Sequence, residues 1–195
     1  MMNFGINNYK DLIEFISYII TSFSLIGIWI TYAWSKKQIH FSTMSKCIND
    51  FREFLKCYGE ADETLAFEYI DLVNEELFYL EKNYLPVDVA IEWIDGMIDW
   101  LPFYNANGDF IQSQNLSFLK NEQYVTIVLN GYPRILKVIQ LNKTIDFEKV
   151  RLASLTLENR KLQFEERNKL IFEIISNLKL SFWRKRFITR KIASR

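Results

Sequence analysis

Residues able to carry acid-base or metal chemistry are few in this chain of 195 residues. Its single histidine, His40, follows a long apolar segment near the N-terminus. This placement excludes a Ser-His-Asp site or a histidine-based metal site deeper in the chain. The sequence also contains no G-x-x-x-x-G-K-[ST] or G-x-G-x-x-G motif for binding phosphates. We expect no enzyme activity, no catalytic residue, no metal ion and no other cofactor.

Carboxylates and thiols are the other reactive groups, and the carboxylates have the spacing of helix surfaces. The stretch from Glu60 to Asp99 has twelve acidic residues and one basic residue, Lys82. Such a run is typical of solvated helix faces or of partners for basic residues elsewhere. The two cysteines, Cys47 and Cys57, lie ten residues apart on one predicted helix. In a reducing cytoplasm we predict no disulfide between them.

An uncharged segment of twenty residues, Phe15 to Trp34, precedes these groups. As a helix it is about 30 Å long, which matches the hydrocarbon core of a bilayer. A cleaved signal would need a basic start, a shorter apolar stretch and small residues at a cleavage site. Tyr32, Trp34 and Lys36 stand where those small residues would be. The segment therefore predicts a retained transmembrane helix.

The charges on either side of this helix predict its orientation. Lys10 is the one basic residue before it, whereas Lys36 and Lys37 begin a basic stretch after it. Because positive charge resists translocation, we predict a short N-terminus outside the cell and a cytoplasmic remainder at a bacterial inner membrane. Trp34, Lys36 and Lys37 would anchor the helix at the inner leaflet.

One face of the predicted transmembrane helix carries hydroxyl groups. At about 100° per residue, five of its small polar side chains and one large apolar residue fall in a stripe about 80° wide. This hydroxyl stripe consists of Ser17, Thr21, Ser24, Ile28, Thr31 and Ser35. It either packs against neighbouring helices or lines a water-filled pore with Ile28 as an apolar constriction. Both interpretations need several copies of the chain, so we predict a homo-oligomer in the lipid bilayer.

The remainder of the chain predicts an all-α domain, since glycine and proline are scarce, at six and three. Apolar spacing predicts helices over residues 41–58, 65–83, 87–101, 119–137 and 146–180. The first of these continues the membrane helix or follows a short break near Ser35. We predict a turn at 59–62, a loop at 102–117 and a bend or break at Gly131–Pro133. The predicted organisation is an extracytoplasmic N-terminus, a transmembrane helix, a cytoplasmic helical domain and a basic tail, over residues 1–10, 11–35, 36–180 and 181–195.

The predicted tail alternates basic and aromatic residues. Its basic side chains include Arg184, Lys185, Arg186, Arg190 and Lys191. The aromatic residues Phe182, Trp183 and Phe187 lie among them. A frayed tail, an interfacial helix on an anionic membrane surface, a contact with a neighbouring subunit and a site for RNA phosphates all stay open. We favour the membrane surface or a neighbouring subunit, and we expect no direct nucleic-acid binding.

The layout resembles the small accessory membrane proteins encoded beside the RNA-targeting effector of type VI-B CRISPR systems. Those proteins pair one N-terminal membrane helix with a helical domain related to HEPN nucleases and assemble into a ring-shaped membrane pore. The sequence "RNKLIFEI", which begins at Arg167 and Asn168, is similar to the Arg-Asn start of the HEPN motif. No histidine follows four to six positions after that arginine. The resemblance therefore implies a degenerate HEPN-like bundle without ribonuclease activity, and an RNA-targeting CRISPR effector as a possible partner.

A second stretch, "LVNEELFYLEKNYLPVDVAIEWIDGMIDWLPFY", resembles the middle of bacterial membrane-anchored helical proteins of unknown function. That resemblance implies the anchor and the helical domain and adds no activity.

Three functional hypotheses follow from the sequence. The first is an oligomeric membrane pore or permeability effector, an accessory of antiviral CRISPR defence. The second is a membrane-tethered adaptor that holds a cytoplasmic partner at the inner leaflet. The third, which we do not favour, is a nuclease that uses Arg167.

Overall fold

The computed structural model describes residues 9–57, 63–152 and 156–194, and it confirms the all-α prediction. The chain divides into two compact units, Met1–Ser42 and Thr43–Arg195. The described residues form eight α-helices: α1 Tyr9–Cys57, α2 Glu63–Glu81, α3 Val87–Met97, α4 Glu122–Leu129, α5 Pro133–Ile139, α6 Phe147–Val150, α7 Leu157–Asn177 and α8 Phe182–Ala193. Most of the predicted N-terminus (1–10) and all of the predicted turn at 59–62 lie outside the described residues.

The first unit consists, in its described part, of helix α1 up to Ser42. Helix α1 has no break at Ser35, since it contains no proline and one glycine, Gly27. No side chain described in this unit is buried. The segment is long and apolar enough to cross a membrane, with a mean hydropathy of 1.8. The predicted long apolar helix is therefore confirmed, whereas its orientation stays a prediction.

The second unit has one hydrophobic core, which extends from Phe54 near the end of α1 to Ile192 in α8. Helix α2 supplies the longest buried face, including Ile70, Leu77 and Leu80. Helix α5 packs against it, α7 packs against α3 and α5, and α8 contacts both α3 and α7. Aliphatic and aromatic side chains at helical spacing thus bury a continuous interior between these helices.

Two predictions in this unit need correction. The stretch 102–117 is not wholly irregular, because Phe103–Tyr104 (β1) and Phe110–Ile111 (β2) pair as an antiparallel hairpin. Strands of two residues are too short to show the alternation by which strands are recognised. The stretch 146–180 is not one long helix, since α6 and α7 are separate helices.

The reason for the second correction lies in two helix caps. The side chain of Asp146 accepts a hydrogen bond from the Lys149 backbone N–H, and that of Thr156 accepts one from Asn159. Each residue thereby starts its own helix. The predicted break at Gly131–Pro133 is confirmed, since α4 ends at Leu129 and Pro133 opens α5. Proline fits the first turn of a helix because that turn needs no backbone N–H donor.

Candidate functional site

The hydroxyl stripe lies on the fully exposed part of α1. Thr21, Ser24 and Thr31 each donate a hydrogen bond of 2.8–2.9 Å to the carbonyl oxygen four residues earlier. The hydroxyls thus satisfy their own donors inside the helix and keep acceptor lone pairs on the surface. Ile28, in the middle of the stripe, is 66% exposed. The arrangement is compatible with a hydrocarbon environment, with helix packing and with a wetted lumen.

The remaining faces of the same segment carry large apolar side chains without a packing partner in their unit. Phe15, Tyr18, Phe23 and Trp29 are each at least 62% exposed. An exposed apolar surface of this extent marks a membrane or a protein interface. Trp34, predicted as an inner-leaflet anchor, is 72% exposed, and Lys36 and Lys37 beside it are exposed as well.

The predicted basic tail is a helix, α8, that is part of the second unit. Its N-cap Ser181 accepts a hydrogen bond from the Arg184 N–H, and Ile188 and Ile192 are buried in the core. The Arg184 guanidinium donates to the Leu85 carbonyl at 2.8 Å, and Lys185 donates to the Ser176 carbonyl at 2.6 Å. This face of α8 is therefore structural.

The opposite face of α8 is exposed and both basic and aromatic. Phe182, Trp183 and Phe187 are 65–75% exposed, and Arg186 and Arg190 are exposed beside them. Lys191 pairs at 3.1 Å with Asp88 of α3. Exposed rings beside exposed arginines suit the headgroup region of an anionic membrane or an acidic protein surface.

Arg167 of the HEPN-like motif lies at a helix interface. Its Nε lies 2.8 Å from Asp95 Oδ1 and its Nη1 lies 2.9 Å from Asp99 Oδ1, which joins α7 to α3. A third donor, Nη2, reaches the Asp95 carbonyl oxygen at 2.6 Å. Burial lowers the pKa of this guanidinium and the bonds to Asp99 and Asp95 raise it, so that the net shift is upward. Arg167 and Asn168 are both only partly exposed.

The sequence analysis did not predict the burial of one further acidic residue, Glu76. Glu76 belongs to the acidic stretch that predicted solvated helix faces, yet it is buried, with 8% of its surface exposed. A signal was present, because Glu76 follows Tyr69, Ile70, Val73 at the spacing of the buried face of α2. Among the residues that the structure describes, no group of three or more potential metal ligands is present.

Comparisons with known proteins assign this chain to no family. No protein-family model, no curated protein and no solved structure matches it. The relationship to CRISPR accessory proteins and the HEPN-like character of the bundle therefore stay predictions.

Proposed function

We propose that the chain is a single-pass membrane protein whose α1 helices self-associate and open a pore through the bilayer. The observation that carries the proposal is the exposure of every described side chain from Leu12 to Tyr32 in an unbroken apolar helix. Such a surface needs lipid or other helices around it. A single helix cannot enclose a channel, so that pore formation requires several copies.

The hydroxyl stripe supports an aqueous lumen over simple anchoring. An anchor needs no sidedness, whereas here five of the six serine and threonine side chains lie on one face and the aromatic rings on others, with Ser22 as the exception. With Ile28 at its centre, the stripe would give a polar lumen with one apolar constriction. The carbonyl-bonded hydroxyls line such a lumen without leaving unsatisfied donors when the pore is dry.

The experiment is dye release from liposomes that contain the purified full-length chain. Thr21→Leu places a large apolar group on the stripe and should reduce the rate of release several-fold. Ser22→Leu is the matched control, because Ser22 makes the same bond to a carbonyl one turn earlier but lies on another face. Equal release by wild type, Thr21→Leu and the triple variant Ser17→Leu/Thr21→Leu/Ser24→Leu would refute a lumen lined by the stripe.

The mass of the detergent-solubilised protein provides an independent measurement. A pore predicts a particle of many protein masses, each 23.4 kDa. Light scattering coupled to size-exclusion chromatography separates the mass of the protein from the mass of the bound detergent. A single protein mass in every mild detergent would contradict both pore formation and helix packing.

We further propose that the pore lies in a bacterial inner membrane with the second unit in the cytoplasm, as the lysines after the helix favour. Fusions of a reporter active only in the periplasm, placed at either terminus, test this orientation. The N-terminal fusion should be active and the C-terminal fusion inactive. A role beside an RNA-targeting CRISPR effector rests on the resemblance alone, and phage plating with and without the chain tests it.

The second candidate function is a membrane-tethered adaptor, and the exposed face of α8 favours it. Phe182, Trp183 and Phe187 present a ring cluster that a soluble partner with an acidic surface would cover. This function predicts a monomer or dimer that does not release dye. It also predicts that the chain binds a partner and that this binding is lost when those three aromatic residues are replaced by serine.

A further inference from the structure

A cavity of about 250 Å³ lies inside the second unit, between the last turns of α1 and helices α2 and α3. The lining residues are Cys47, Ile48, Phe51, Arg52, Tyr69, Glu76, Glu92, Trp93, Gly96 and Met97. Its volume is below the range of about 300–1,000 Å³ that is typical of pockets for drug-sized ligands. Arg52, Glu92 and Gly96 are exposed and mark the mouth, whereas Cys47, Tyr69 and Glu76 are buried.

Glu76 is the one carboxylate that both lines this cavity and is buried, and no ion pair among the described residues includes it. Among the described residues no donor forms a hydrogen bond to its oxygens. The pKa of Glu76 is instead affected by its burial and by the charges of Glu75 and Asp50. The other buried acid, Glu173, accepts a hydrogen bond of 2.9 Å from the Asn142 backbone N–H. A buried carboxylate without such a partner is normally unfavourable. An unpaired acid that faces a cavity is therefore open to a cationic ligand.

The ammonium group of Lys46 is not a counter-ion of Glu76, because it pairs with two other carboxylates. Lys46 of α1 bonds to both oxygens of Glu75 at 2.6 and 2.7 Å and to Asp50 at 3.1 Å. Those two carboxylates share that ammonium, and the Tyr79 hydroxyl also donates to Glu75. The local charge of this cluster is thus one cation against two anions before Glu76 is counted.

Aromatic rings form much of the remaining wall. Phe51 of α1, Tyr69 of α2 and Trp93 of α3 each line the cavity, one from each of the three helices. Aromatic faces attract cations that are weakly hydrated, and clusters of rings bind quaternary ammonium groups for this reason. Inorganic cations would instead need several oxygen ligands, and the cavity offers few.

We propose that this cavity binds a small alkylammonium cation of the choline type, with Glu76 as its counter-ion and Phe51, Tyr69 and Trp93 as its aromatic wall. A ligand of this class combines a single positive charge with an apolar surface, as the cavity combines one buried carboxylate with rings and Met97. The source is either a free amine or the headgroup of a choline lipid. This site is independent of the pore in α1.

The charge state of Glu76 makes the binding depend on pH. Burial, with the charges of Glu75 and Asp50, raises the pKa of Glu76 to about 8. The cation prefers the ionised acid, so that affinity should rise roughly tenfold between pH 7 and pH 9 and then level off. The other titratable or charged groups that line the cavity or act on Glu76 are Cys47, Asp50 and Arg52 of α1, Tyr69 and Glu75 of α2, and Glu92 of α3. Burial raises the pKa of Cys47 to about 12, so this thiol stays neutral over the same range.

The experiment is isothermal titration of the full-length chain in a maltoside detergent with choline and with its neutral analogue 3,3-dimethylbutan-1-ol. Choline should bind at pH 9, more weakly at pH 7, and the neutral alcohol at least tenfold more weakly than choline at pH 9. Glu76→Gln should abolish the preference for choline. Glu68→Gln, an exposed acid on the same helix, is the matched control and should bind as wild type does.

A second variant, Gly96→Leu, tests the cavity without changing Glu76. A Cβ added at Gly96 meets no atom within 4 Å, so Gly96→Leu fits the helix and fills the mouth of the cavity. It should lose choline binding while keeping the melting temperature of the wild type or raising it. Equal binding of choline and the neutral alcohol, or full choline binding by Glu76→Gln or Gly96→Leu, would overturn the proposal, as would no binding at pH 9.

The source of the ligand is distinguished in vesicles. Choline affinity is measured for the chain in phosphatidylglycerol vesicles with and without phosphatidylcholine. Competition by the choline lipid identifies a headgroup site, whereas unchanged affinity identifies a site for the free cation. Since dye release does not depend on this cavity, loss of the site and loss of the pore are separate results.

Discussion

At the scale of single residues, Glu76 should determine how the stability of the second unit varies with pH. Its pKa of about 8 in the folded chain lies above the ordinary value of 4.5. Below pH 4.5 the acid is protonated whether folded or unfolded, and its burial is tolerated. As the pH rises to 8, the unfolded chain releases the proton first, so stability is lost across this range.

Glu76→Gln removes this ionisation and keeps the shape of the side chain. We expect the variant to unfold at nearly the same temperature as wild type at pH 4.5 and at a clearly higher temperature at pH 8.5. The difference corresponds to a gain on the order of 4 kcal/mol. Thermal melting followed by circular dichroism in detergent measures it, with exposed Glu68→Gln as the control that should show no such trend. A constant difference across the pH range would contradict a buried neutral acid.

Arg167 is expected to act through structure, since three of its donors are bound to Asp95 of α3 and to Asp99, which follows that helix. Arg167→Leu leaves Asp95 and Asp99 without their cation and should cost about 2–3 kcal/mol of unfolding free energy. Lys161→Leu, at an exposed position of the same helix, should cost less than about 0.5 kcal/mol. The measurement is denaturant unfolding, and adding Asp95→Asn and Asp99→Asn to Arg167→Leu should recover part of the loss. Cleavage of RNA by wild type that disappears in Arg167→Leu without loss of stability would instead support a nuclease.

Helical spacing signals the burial of Glu76, but the contacts that give Glu76 and Arg167 their roles could not be predicted from the sequence, because they join residues far apart along the chain. Arg167 meets partners 68 and 72 positions earlier. The cavity around Glu76 needs three helices to exist, so that no local pattern contains it. The charge of each residue is visible in the sequence, but the desolvation and the pairing that set its behaviour arise only in the folded unit.

At the scale of elements, the helices were predictable where apolar spacing and caps agree. Helices α2, α3, α4 and α5 lie where periodicity and prolines place them, with ends shifted by a few residues. The prediction of one helix over 146–180 was wrong because apolar spacing alone did not identify Asp146 and Thr156 as the caps that begin two separate helices. The exposed hydroxyls of α1 were predictable as well, because a single helix determines its own faces.

Helix α8 permits a prediction at this scale, because one of its faces is buried in the core and the other is exposed. Ile188 is fully buried, and Ile188→Ala should destabilise the second unit by about 2–4 kcal/mol. Phe187, its neighbour, is 65% exposed, and Phe187→Ala should leave stability within about 0.5 kcal/mol of wild type. Chemical unfolding in detergent compares the two variants. If both changes were neutral, α8 would be a tail rather than part of the core.

At the scale of the whole molecule, the two units obtain their stability from different surroundings. Every member of the hydrophobic core lies between Phe54 and Ile192, within the second unit. The first unit has no buried side chain among those described, and Ile26, Ile28 and Trp29 are each more than half exposed. The described part of its helix therefore has no buried interior of its own, whereas the second unit contains one.

This division predicts what deletion of residues 1–42 should do. The remaining chain, 43–195, keeps the core and should be a water-soluble monomer that unfolds in one cooperative transition. The full-length chain should require detergent and sediment as an assembly of several copies, because α1 is the one helix among the described residues that is long and apolar enough to cross a membrane. Analytical ultracentrifugation of both forms provides the comparison, with the Thr21→Leu chain as the control that keeps the anchor and alters the stripe. If the deleted form assembled to the same copy number, the contacts between subunits would lie in the second unit, and the stripe on α1 would line an opening that other surfaces build.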